Sequence, residues 1–208
     1  MKKELFIMLL MFLMCAAMTG TVKAQEEKTV IKVVPTPYTA PTIGHRFTLN
    51  VTVYNLTVTS AHDGCWSWMV RIRWNSSVLN VTSRADVVEG DFLKKVNPDT
   101  SFRFWDPRPG QLPEITGRFN VEAEATGDGS LVKVTFTAVG LGTTNVTVYE
   151  YDFIDFDGDP IPITNVFPGR TDVVPEFSTS IMLALFLVTT TAIAILAKKL
   201  SQKKPILH

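Results

Sequence analysis

The alternation of apolar and polar side chains at every second position constrains this chain of 208 residues more than any other feature. It is clearest in WSWMVRIRW, residues 66–74, where the apolar positions are Trp66, Trp68, Val70, Ile72 and Trp74. A period of two is typical of a β-strand with one buried and one solvent-facing side. Because three indoles supply a large apolar area, we expect this strand to lie at the centre of a sheet, with the tryptophans facing inward.

Four further segments repeat this alternation: RFTLNVTVYN, SLVKVTFTAV, TTNVTVYEY and RFNVEAEA. Their expected inward residues are Phe47, Leu49, Val51, Val53, Phe119, Val121, Val132, Val134, Phe136, Ala138, Val146 and Val148. Turn signals separate the segments, among them PRPGQLP at 107–113, GDG at 127–129 and DGD at 157–159. No segment before Thr179 has a helical period. Many short alternating strands joined by turns predict an all-β fold, either a sandwich or a barrel.

The first 24 residues have the organisation of a secretory signal peptide. Lys2 and Lys3 precede a short apolar run, and Val22 and Ala24 place small residues at positions −3 and −1 of a cleavage site. The apolar run is shorter than a membrane span normally requires. An uncleaved anchor is the alternative, but the sequence favours export and cleavage after Ala24.

The other end of the chain predicts a membrane anchor. Residues 178–197 carry no charge, and twenty helical residues reach about 30 Å, the thickness of a bilayer core. The basic tail, residues 198–208, contains four lysines and belongs on the cytoplasmic side. A buried core helix is the alternative. The prediction is therefore a single-pass protein of the cell membrane with an extracellular domain at residues 25–174 and a cytoplasmic C-terminus.

The charge and the cysteine content of the exported part limit the partners that it can bind and the disulfides that it can form. Residues 25–177 contain 13 basic and 19 acidic residues, which is a net charge of about −6. An acidic domain of this size argues against nucleic acid as a partner. Cys15 lies in the signal peptide, so Cys65 has no partner for a disulfide within the mature chain. Cys65 is either a buried apolar residue or the link of a disulfide dimer, and the oligomeric state stays open.

Five Asn-x-Ser/Thr triplets lie in the exported part and are candidate N-glycosylation sites. They begin at Asn50, Asn55, Asn75, Asn80 and Asn145. Such triplets become acceptors only on a surface that faces the outside of the cell. Asn50 and Asn145 fall on the polar side of their predicted strands, where a glycan would leave the core undisturbed.

Two longer stretches resemble a cohesin-type domain. WSWMVRIRWNSSVLNVTSRADVVEGDFL is similar to the core of that family, and GDGSLVKVTFTAVGLGTTNVTV is similar to its paired later strands. DFIDFDGDPIPI resembles the closing loop, and the match spans most of residues 29–174. The resemblance implies a jelly-roll β-sandwich, in the same broad class as certain carbohydrate-binding modules. It also implies a dockerin-like partner bound through one face of the sandwich, although no short motif marks that face.

The segment before the predicted anchor resembles the Pro-Glu-Phe sorting tails of archaeal surface proteins. The matching positions are Pro175, Glu176 and Phe177, directly before an uncharged span and a basic end. The resemblance implies that a membrane archaeosortase cuts the chain here and replaces the anchor with a lipid. A lipid-anchored protein is therefore the alternative to a transmembrane one.

Two clusters of side chains could hold a ligand. Asp155, Asp157 and Asp159 lie close together around Gly158, and calcium prefers such carboxylates with loop carbonyls. The alternative is a solvated acidic turn, and no calcium is required for the fold. Phe104 and Trp105, in SFRFWDPRPG, could form an aromatic platform for a sugar ring, or they could cap the core of the sandwich.

The motifs of enzymes are absent from the sequence, which has no G-x-S-x-G elbow, no P-loop and no Cys/His metal spacing. We therefore predict a non-catalytic surface protein that holds a protein partner at the cell exterior. Binding of a surface polysaccharide, linked to polysaccharide breakdown, is the first alternative. A structural glycoprotein associated with an S-layer is the second.

Overall fold

The computed structural model describes residues 28–40, 42–59, 63–175 and 179–201. The predicted signal peptide, Glu176, Phe177 and residues 202–208 of the basic tail lie outside the described residues. Twelve strands, a short 3-10 helix at Arg84–Asp86 and one α-helix make up the regular structure of the described chain.

Two six-stranded sheets form the domain. The first sheet consists of β1 (Val30–Val34), β3 (Arg46–Leu56), β5 (Leu79–Asn80), β6 (Val87–Glu89), β9 (Gly127–Ala138) and β11 (Asn165–Phe167). Its strand order is β11-β1-β3-β9-β5, and β6 also pairs with β9. The second sheet consists of β2 (Tyr38–Ala40), β4 (Ser67–Arg73), β7 (Thr100–Phe104), β8 (Gln111–Phe119), β10 (Gly142–Ile154) and β12 (Gly169–Val173). Its order is β2-β12-β10-β4-β8-β7. All pairings are antiparallel except β1 with β11 and β2 with β12.

A single apolar core lies between the sheets. The inward residues of β3 and β9 that the alternation predicts are all buried, and so are Val146 and Val148 of β10. Side chains from both sheets join one buried cluster, which confirms the predicted all-β sandwich. Burial of this apolar area is the main term that stabilises a domain without a disulfide.

The strand β4 lies inside the second sheet, between β10 and β8, as predicted. Trp68 and Trp74 are 2% and 7% exposed, and Trp66, just before the strand, is half-buried with its ring edge-on to Phe156. Gly117 of β8 lies under the Trp68 ring, where a Cβ would come within 2.5 Å of the indole. A glycine is needed here because the Trp68 indole occupies the space that a side chain would fill.

The structure corrects the predicted strand at RFNVEAEA and the predicted turn at 107–113. The turn is confined to Arg108–Gln111, and β8 already begins at Gln111, runs through Pro113 and ends at Phe119. Val121 lies beyond the strand and is 37% exposed, so it does not belong to the core. The reason is pairing on both sides: β4 and β7 hold the earlier segment in the sheet, and Pro113 falls at a bulge where no amide is needed.

The only α-helix of the described residues, α1 (Thr179–Ser201), covers most of the predicted span at 178–197. Several of its apolar side chains are exposed, among them Leu183, Phe186, Val188 and Ile193. Lys198 and Lys199 lie in its last turn. Within the described ranges, no helix combines the length and the apolar character needed to cross a membrane.

Candidate functional site

The outer face of the second sheet is centred on Arg71, which points away from the core between Val70 and Ile72. Its guanidinium donates to Glu150 Oε2 through Nη1 at 2.8 Å and to Glu114 Oε2 through Nη2 at 3.2 Å. Glu114 and Glu150 belong to the two strands that flank β4. The hydrogen bond to Glu114 is the main influence that raises the pKa of Arg71. The three side chains therefore tie β8, β4 and β10 together.

Two β-bulges create this arrangement. In the β4–β8 pair, Val70 faces Ile115 and Ile72 faces Leu112, so Arg71 faces both Pro113 and Glu114. In the β4–β10 pair the register shifts between Val148 and Glu150, which leaves Tyr149 as the additional residue. A bulge re-aims the side chains beside it and increases the local twist. Both neighbours of β4 thus bulge at the level of Arg71, and each brings a glutamate to it.

Three adjoining depressions run across this outer face. The first, of about 450 Å³, is lined by Arg103, Phe104, Trp105, Glu114 and Thr116. The second, of about 340 Å³, shares Trp105 and Glu114 with the first and adds Arg71, Arg108, Gln111, Pro113 and Tyr149. The third, of about 260 Å³, shares Arg103 and Thr116 with the first and adds Ser67, Ser101 and Arg118. Because neighbouring depressions share residues, they form one continuous groove. We call it the outer groove and define it by Arg71, Arg103, Trp105, Arg108, Glu114 and Arg118.

Trp105 stands at the middle of the outer groove and is 64% exposed. Its backbone amide donates to the carbonyl of Glu114 at 3.1 Å, which holds it beside β8 just after β7 ends. Phe104 behaves differently: its ring packs at 5.6 Å from that of Phe102, and the Arg84 guanidinium covers it at 4.5 Å. The structure therefore brings Trp105 to the surface while Phe104 is half-buried, and the two rings do not form one exposed platform.

The tight turn between β7 and β8 positions Arg108. The backbones of Arg108 and Gln111 exchange hydrogen bonds of 2.9 and 3.0 Å, and the Gly110 carbonyl accepts from the Trp74 amide. Gly110 has φ +76, a left-handed conformation that favours glycine. The turn therefore holds the arginine at one end of the outer groove, beside Tyr149.

The predicted calcium loop is closed by its own backbone. Asp155 is buried, and its Oδ1 accepts from the Asp159 amide at 2.7 Å, whereas Asp157 and the Asp159 side chain are exposed. Across the part of the chain that the structure describes, no group of three or more His, Cys, Asp or Glu side chains is arranged to hold a metal ion. The bonding pattern of Asp155 is that of a hydrogen-bonded turn, and calcium binding stays a prediction.

A fourth depression, of about 270 Å³, lies near this loop and is acidic. Its lining includes Asp63, Glu122, Glu124, Phe156 and Asp157. Glu124 Oε1 accepts from the Phe156 amide at 2.8 Å, so this carboxylate also has a structural role. The domain thus has an acidic region that is separate from the outer groove.

The five candidate glycosylation sites differ in exposure. Asn75 and Asn145 are exposed, whereas Asn50, Asn55 and Asn80 are half-buried. Asn75 Oδ1 accepts from both the amide and the hydroxyl of Ser77, within its own triplet. Glycosylation of all five sites stays a prediction. Pro175 of the predicted sorting segment is exposed after β12, and the other two residues of that segment lie outside the described residues.

Only some of the residues that line the outer groove could be predicted from the sequence. Arg71 occupies a polar position in the alternation of β4, and Trp105 was predicted as a ligand-binding residue. Arg103, Arg108, Glu114, Arg118 and Tyr149 were not predicted, because their convergence depends on the two bulges and on the pairing of β7 with β8. No spacing in the sequence indicates a bulge at Arg71.

Comparison of the sequence with protein-family models and with curated proteins gives no match. Comparison of the structure with solved structures gives cohesins. A non-cellulosomal cohesin of the archaeon Archaeoglobus fulgidus is 20% identical, with a TM-score of 0.54 over 74% of this chain and 96% of that one. A cohesin of scaffoldin B from Acetivibrio cellulolyticus, in complex with a dockerin, is 13% identical, with a TM-score of 0.56 over 71% and 99%.

A type I cohesin–dockerin complex from Clostridium thermocellum matches with 18% identity and a TM-score of 0.52 over 71% of this chain and 94% of that one. These matched structures are docking modules and not catalytic domains, which agrees with the prediction that the chain is not an enzyme. At these identities the likeness shows the fold alone. The two curled sheets of the described chain are a cohesin-like β-sandwich.

Proposed function

We propose that the chain is a non-catalytic docking module that holds a protein partner in the outer groove. The observation that carries this proposal is the exposed Trp105 in a continuous groove on a rigid sheet, surrounded by arginines and Tyr149. Tryptophan, tyrosine and arginine are the residues that contribute most binding energy at protein interfaces. Strands on both sides fix the backbone of the groove, so little ordering is required when a partner binds.

A dockerin-like protein is the partner that the solved relatives favour. Cohesins from Acetivibrio cellulolyticus and Clostridium thermocellum are described in complex with dockerins. Their fold is the fold of this chain, although their low identity transfers no contact residue. We therefore propose the class of partner from the fold and the place of binding from the geometry of the outer groove.

The proposed place of action is the outside of the cell membrane. The predicted signal peptide at residues 1–24, the uncharged segment at 178–197 and the lysines that follow it support this location. The five candidate glycosylation sites support it as well. An anchored module would hold its partner at the cell surface, either through the helix or through a lipid added at the Pro-Glu-Phe segment.

Affinity capture with the purified full-length protein tests the proposal. The bait is incubated with native membrane and secreted fractions, with calcium and then with chelator. Trp105→Ala removes the centre of the groove, and Phe167→Ala is the matched control, since Phe167 is an exposed aromatic residue of the first sheet. We expect one protein to be retained by the wild type and by Phe167→Ala and lost by Trp105→Ala.

The other outcomes distinguish the alternatives. Retention of polysaccharide alone, again lost with Trp105→Ala, would place the chain among carbohydrate-binding modules. Failure to retain any specific molecule would leave a structural surface glycoprotein. Release by chelator would show that calcium acts on one side of the interface, and the Asp155 loop would then be the first candidate in this chain.

A further inference from the structure

We infer that the outer groove selects an acidic polypeptide segment, with Asp or Glu side chains on both sides of an apolar residue. This inference rests on the proposed docking function and names the chemistry of the partner.

The first observation is the segregation of arginine and lysine. Of the eight arginines in the sequence, six lie on the outer face of the second sheet or in its β7–β8 turn, namely Arg71, Arg73, Arg103, Arg108, Arg118 and Arg170, of which Arg170 is paired with Asp172. The lysines of the described domain lie elsewhere: Lys32 and Lys133 belong to β1 and β9 of the first sheet, and Lys94 and Lys95 pair with Glu89 and Asp91. Arginine binds carboxylates through two parallel hydrogen bonds, which lysine cannot do. The arginines on the outer face of the second sheet are therefore suited to bind planar anions such as carboxylates.

The second observation is which arginines are already paired. Arg71 uses both Glu114 and Glu150, so the centre of the outer groove carries one positive and two negative charges. Among the described residues, Arg103, Arg108 and Arg118 form no ion pair, although the Arg118 guanidinium lies 5.9 Å from the Trp66 ring. These three charges outweigh the excess of one negative charge at the centre. The remaining attraction for an anion comes from the ends of the groove and not from its middle.

The third observation is the order of features along the groove. Arg103 and Arg118 line the depression at one end together with Ser67, Ser101 and Thr116. The Ser101 hydroxyl already donates to Asn120 Oδ1 and the Thr116 hydroxyl to the Arg103 carbonyl, so the two guanidiniums supply most of the hydrogen-bond donors for a ligand there. Arg108 lines the depression at the other end, whose inner side, towards the middle of the groove, is formed by Arg71 and Glu114. Trp105 lies between the two ends. This order fits a peptide segment whose carboxylates are separated by an apolar side chain.

Charge complementarity decides between the possible occupants. Residues 25–177 carry about −6, so an acidic partner is repelled by the domain as a whole and attracted only at this face. Such a partner is held in one place and orientation, which gives specificity more than raw affinity. A sulfated or uronic polysaccharide shares the anionic chemistry but offers no apolar side chain for Trp105 between its charges in the way that a polypeptide does.

A displayed library of random 12-residue peptides, selected on the purified full-length protein, tests the inference. We expect enriched peptides to contain Asp and Glu around an apolar residue, and their affinity to fall about tenfold or more when sodium chloride is raised from low to high concentration. The triple variant Arg103→Glu, Arg108→Glu, Arg118→Glu is expected to lose about tenfold or more in affinity. The variant Lys28→Glu, Lys32→Glu, Lys133→Glu makes the same change in charge away from the groove and is expected to keep its affinity.

Charge exchange provides a second, independent readout. An enriched peptide with its acidic residues replaced by lysine is expected to bind the triple Arg→Glu variant and not the wild type. This result cannot come from a variant that has failed to fold.

The remaining outcomes overturn the inference in different ways. Enrichment of neutral or apolar peptides that Trp105→Ala no longer binds would leave the docking function in place and reject the acidic partner. Binding of heparin without binding of any acidic peptide would assign the groove to an anionic polysaccharide. Salt-sensitive self-association in analytical ultracentrifugation, lost in the triple variant, would show that the acidic depression of a second copy fills the groove. Absence of any binding at this face would reject both the inference and the proposed function.

Discussion

The outer faces of the two sheets differ although their inner faces follow the same rule. On the first sheet, Thr48 and Thr135 share a hydrogen bond of 2.9 Å across β3 and β9, and Lys32 lies over the rings of Tyr54 and Phe167. On the second sheet, two bulges at Arg71 open a groove that holds arginines and an exposed tryptophan. The inner face of each sheet is fixed by burial, so the outer face is where a sandwich of this kind can acquire a function.

The comparison also shows where the candidate glycosylation sites lie relative to the groove. Asn50 and Asn55 belong to β3 and Asn80 to the short edge strand β5, all in the first sheet. Asn145 lies on β10 opposite Arg170, away from the residues that line the groove. Asn75 follows β4, and its neighbours Trp74 and Ser76 lie beside Gly110 in the turn that carries Arg108. A glycan at Asn75 would therefore stand next to one end of the groove, whereas glycans at the other four sites would lie away from its lining.

The largest expected effect is on the core beneath the groove. Gly117→Ala places a Cβ within 2.5 Å of the Trp68 ring, so the buried indole or the backbone of β8 must shift. We expect the free energy of unfolding to fall by about 3 kcal/mol. Gly127→Ala, at the start of β9 in the first sheet, meets no atom within 4 Å but has φ +79, so it should cost only about 1 kcal/mol. Urea unfolding followed by tryptophan fluorescence measures both, and equal losses would contradict this packing.

A second prediction concerns Cys65, whose backbone pairs with Ala125 at the end of the second sheet. Burial, helped by the nearby charge of Glu124, raises the pKa of the thiol, so the reactive thiolate is scarce at pH 8. We expect Ellman's reagent to react at least about a hundredfold more slowly with the native protein than with the unfolded protein. Rapid labelling of the native protein, or a dimer that reductant dissociates, would show that this end of the sheet is open.

A third prediction uses Asp91, which lies beside the first sheet. Burial raises the pKa of Asp91, but the hydrogen bonds that its carboxylate accepts from the Ser130 amide and the Lys95 ammonium together lower it by more. Because the folded pKa is depressed, the carboxylate stabilises the fold above the unfolded pKa of about 3.9, and this stabilisation is lost as the pH falls through the folded pKa.

Asp91→Asn removes this ionisable group, so comparing the variant with the wild type isolates its contribution to the pH dependence of the free energy of unfolding. Half of the Asp91 side chain is exposed, so the difference in stability from the wild type should be below about 1 kcal/mol at pH 7 and should disappear near pH 2. Urea unfolding at the two pH values measures it. If the stability difference between the wild type and Asp91→Asn grew as the pH fell, the pKa of Asp91 would be raised in the folded protein and not lowered.

The smallest expected effect comes from changing the net charge of the outer groove. Glu114→Gln removes one of the two acids that neutralise Arg71, so the groove becomes more positive. We expect the affinity for an acidic peptide to rise by about two- to fivefold, while stability changes by less than about 1 kcal/mol because the pair is partly exposed. Isothermal titration calorimetry measures the affinity. Weaker binding would indicate that Glu114 itself contacts the partner.

The inner faces were predictable from the sequence, and the outer groove was not. Alternation identified the buried residues of β3, β4, β9 and β10 because every second side chain of a strand meets the same core. It failed at Val121 because the pairing of β8 with two neighbours, and not the local pattern, decides where that strand ends. The groove depends on bulges at Pro113 and Tyr149, and a single extra residue in a strand leaves no signal in hydrophobic periodicity.

Trp105 shows how far a single residue could be predicted. The aromatic residues around Arg103 predicted a platform for a sugar ring that included Trp105, or else a cap on the core, and the structure places Trp105 in the groove with 64% of its surface exposed. Its contact with a ligand stays a prediction. Its neighbour Phe104 was predicted with it, but the ring is covered by Arg84, which is 20 positions away in the sequence. Cation–π contacts between distant segments are set by the tertiary fold and cannot be read from the local pattern.

The most direct test of the central claim is calorimetric titration of the captured protein partner into full-length wild type, Trp105→Ala and Phe167→Ala. The proposed docking face predicts a loss of about 2 kcal/mol or more in binding free energy for Trp105→Ala, which is about thirtyfold in affinity, and little change for Phe167→Ala. Unchanged affinity of Trp105→Ala together with a large loss for Phe167→Ala would place the partner on the first sheet and contradict the account.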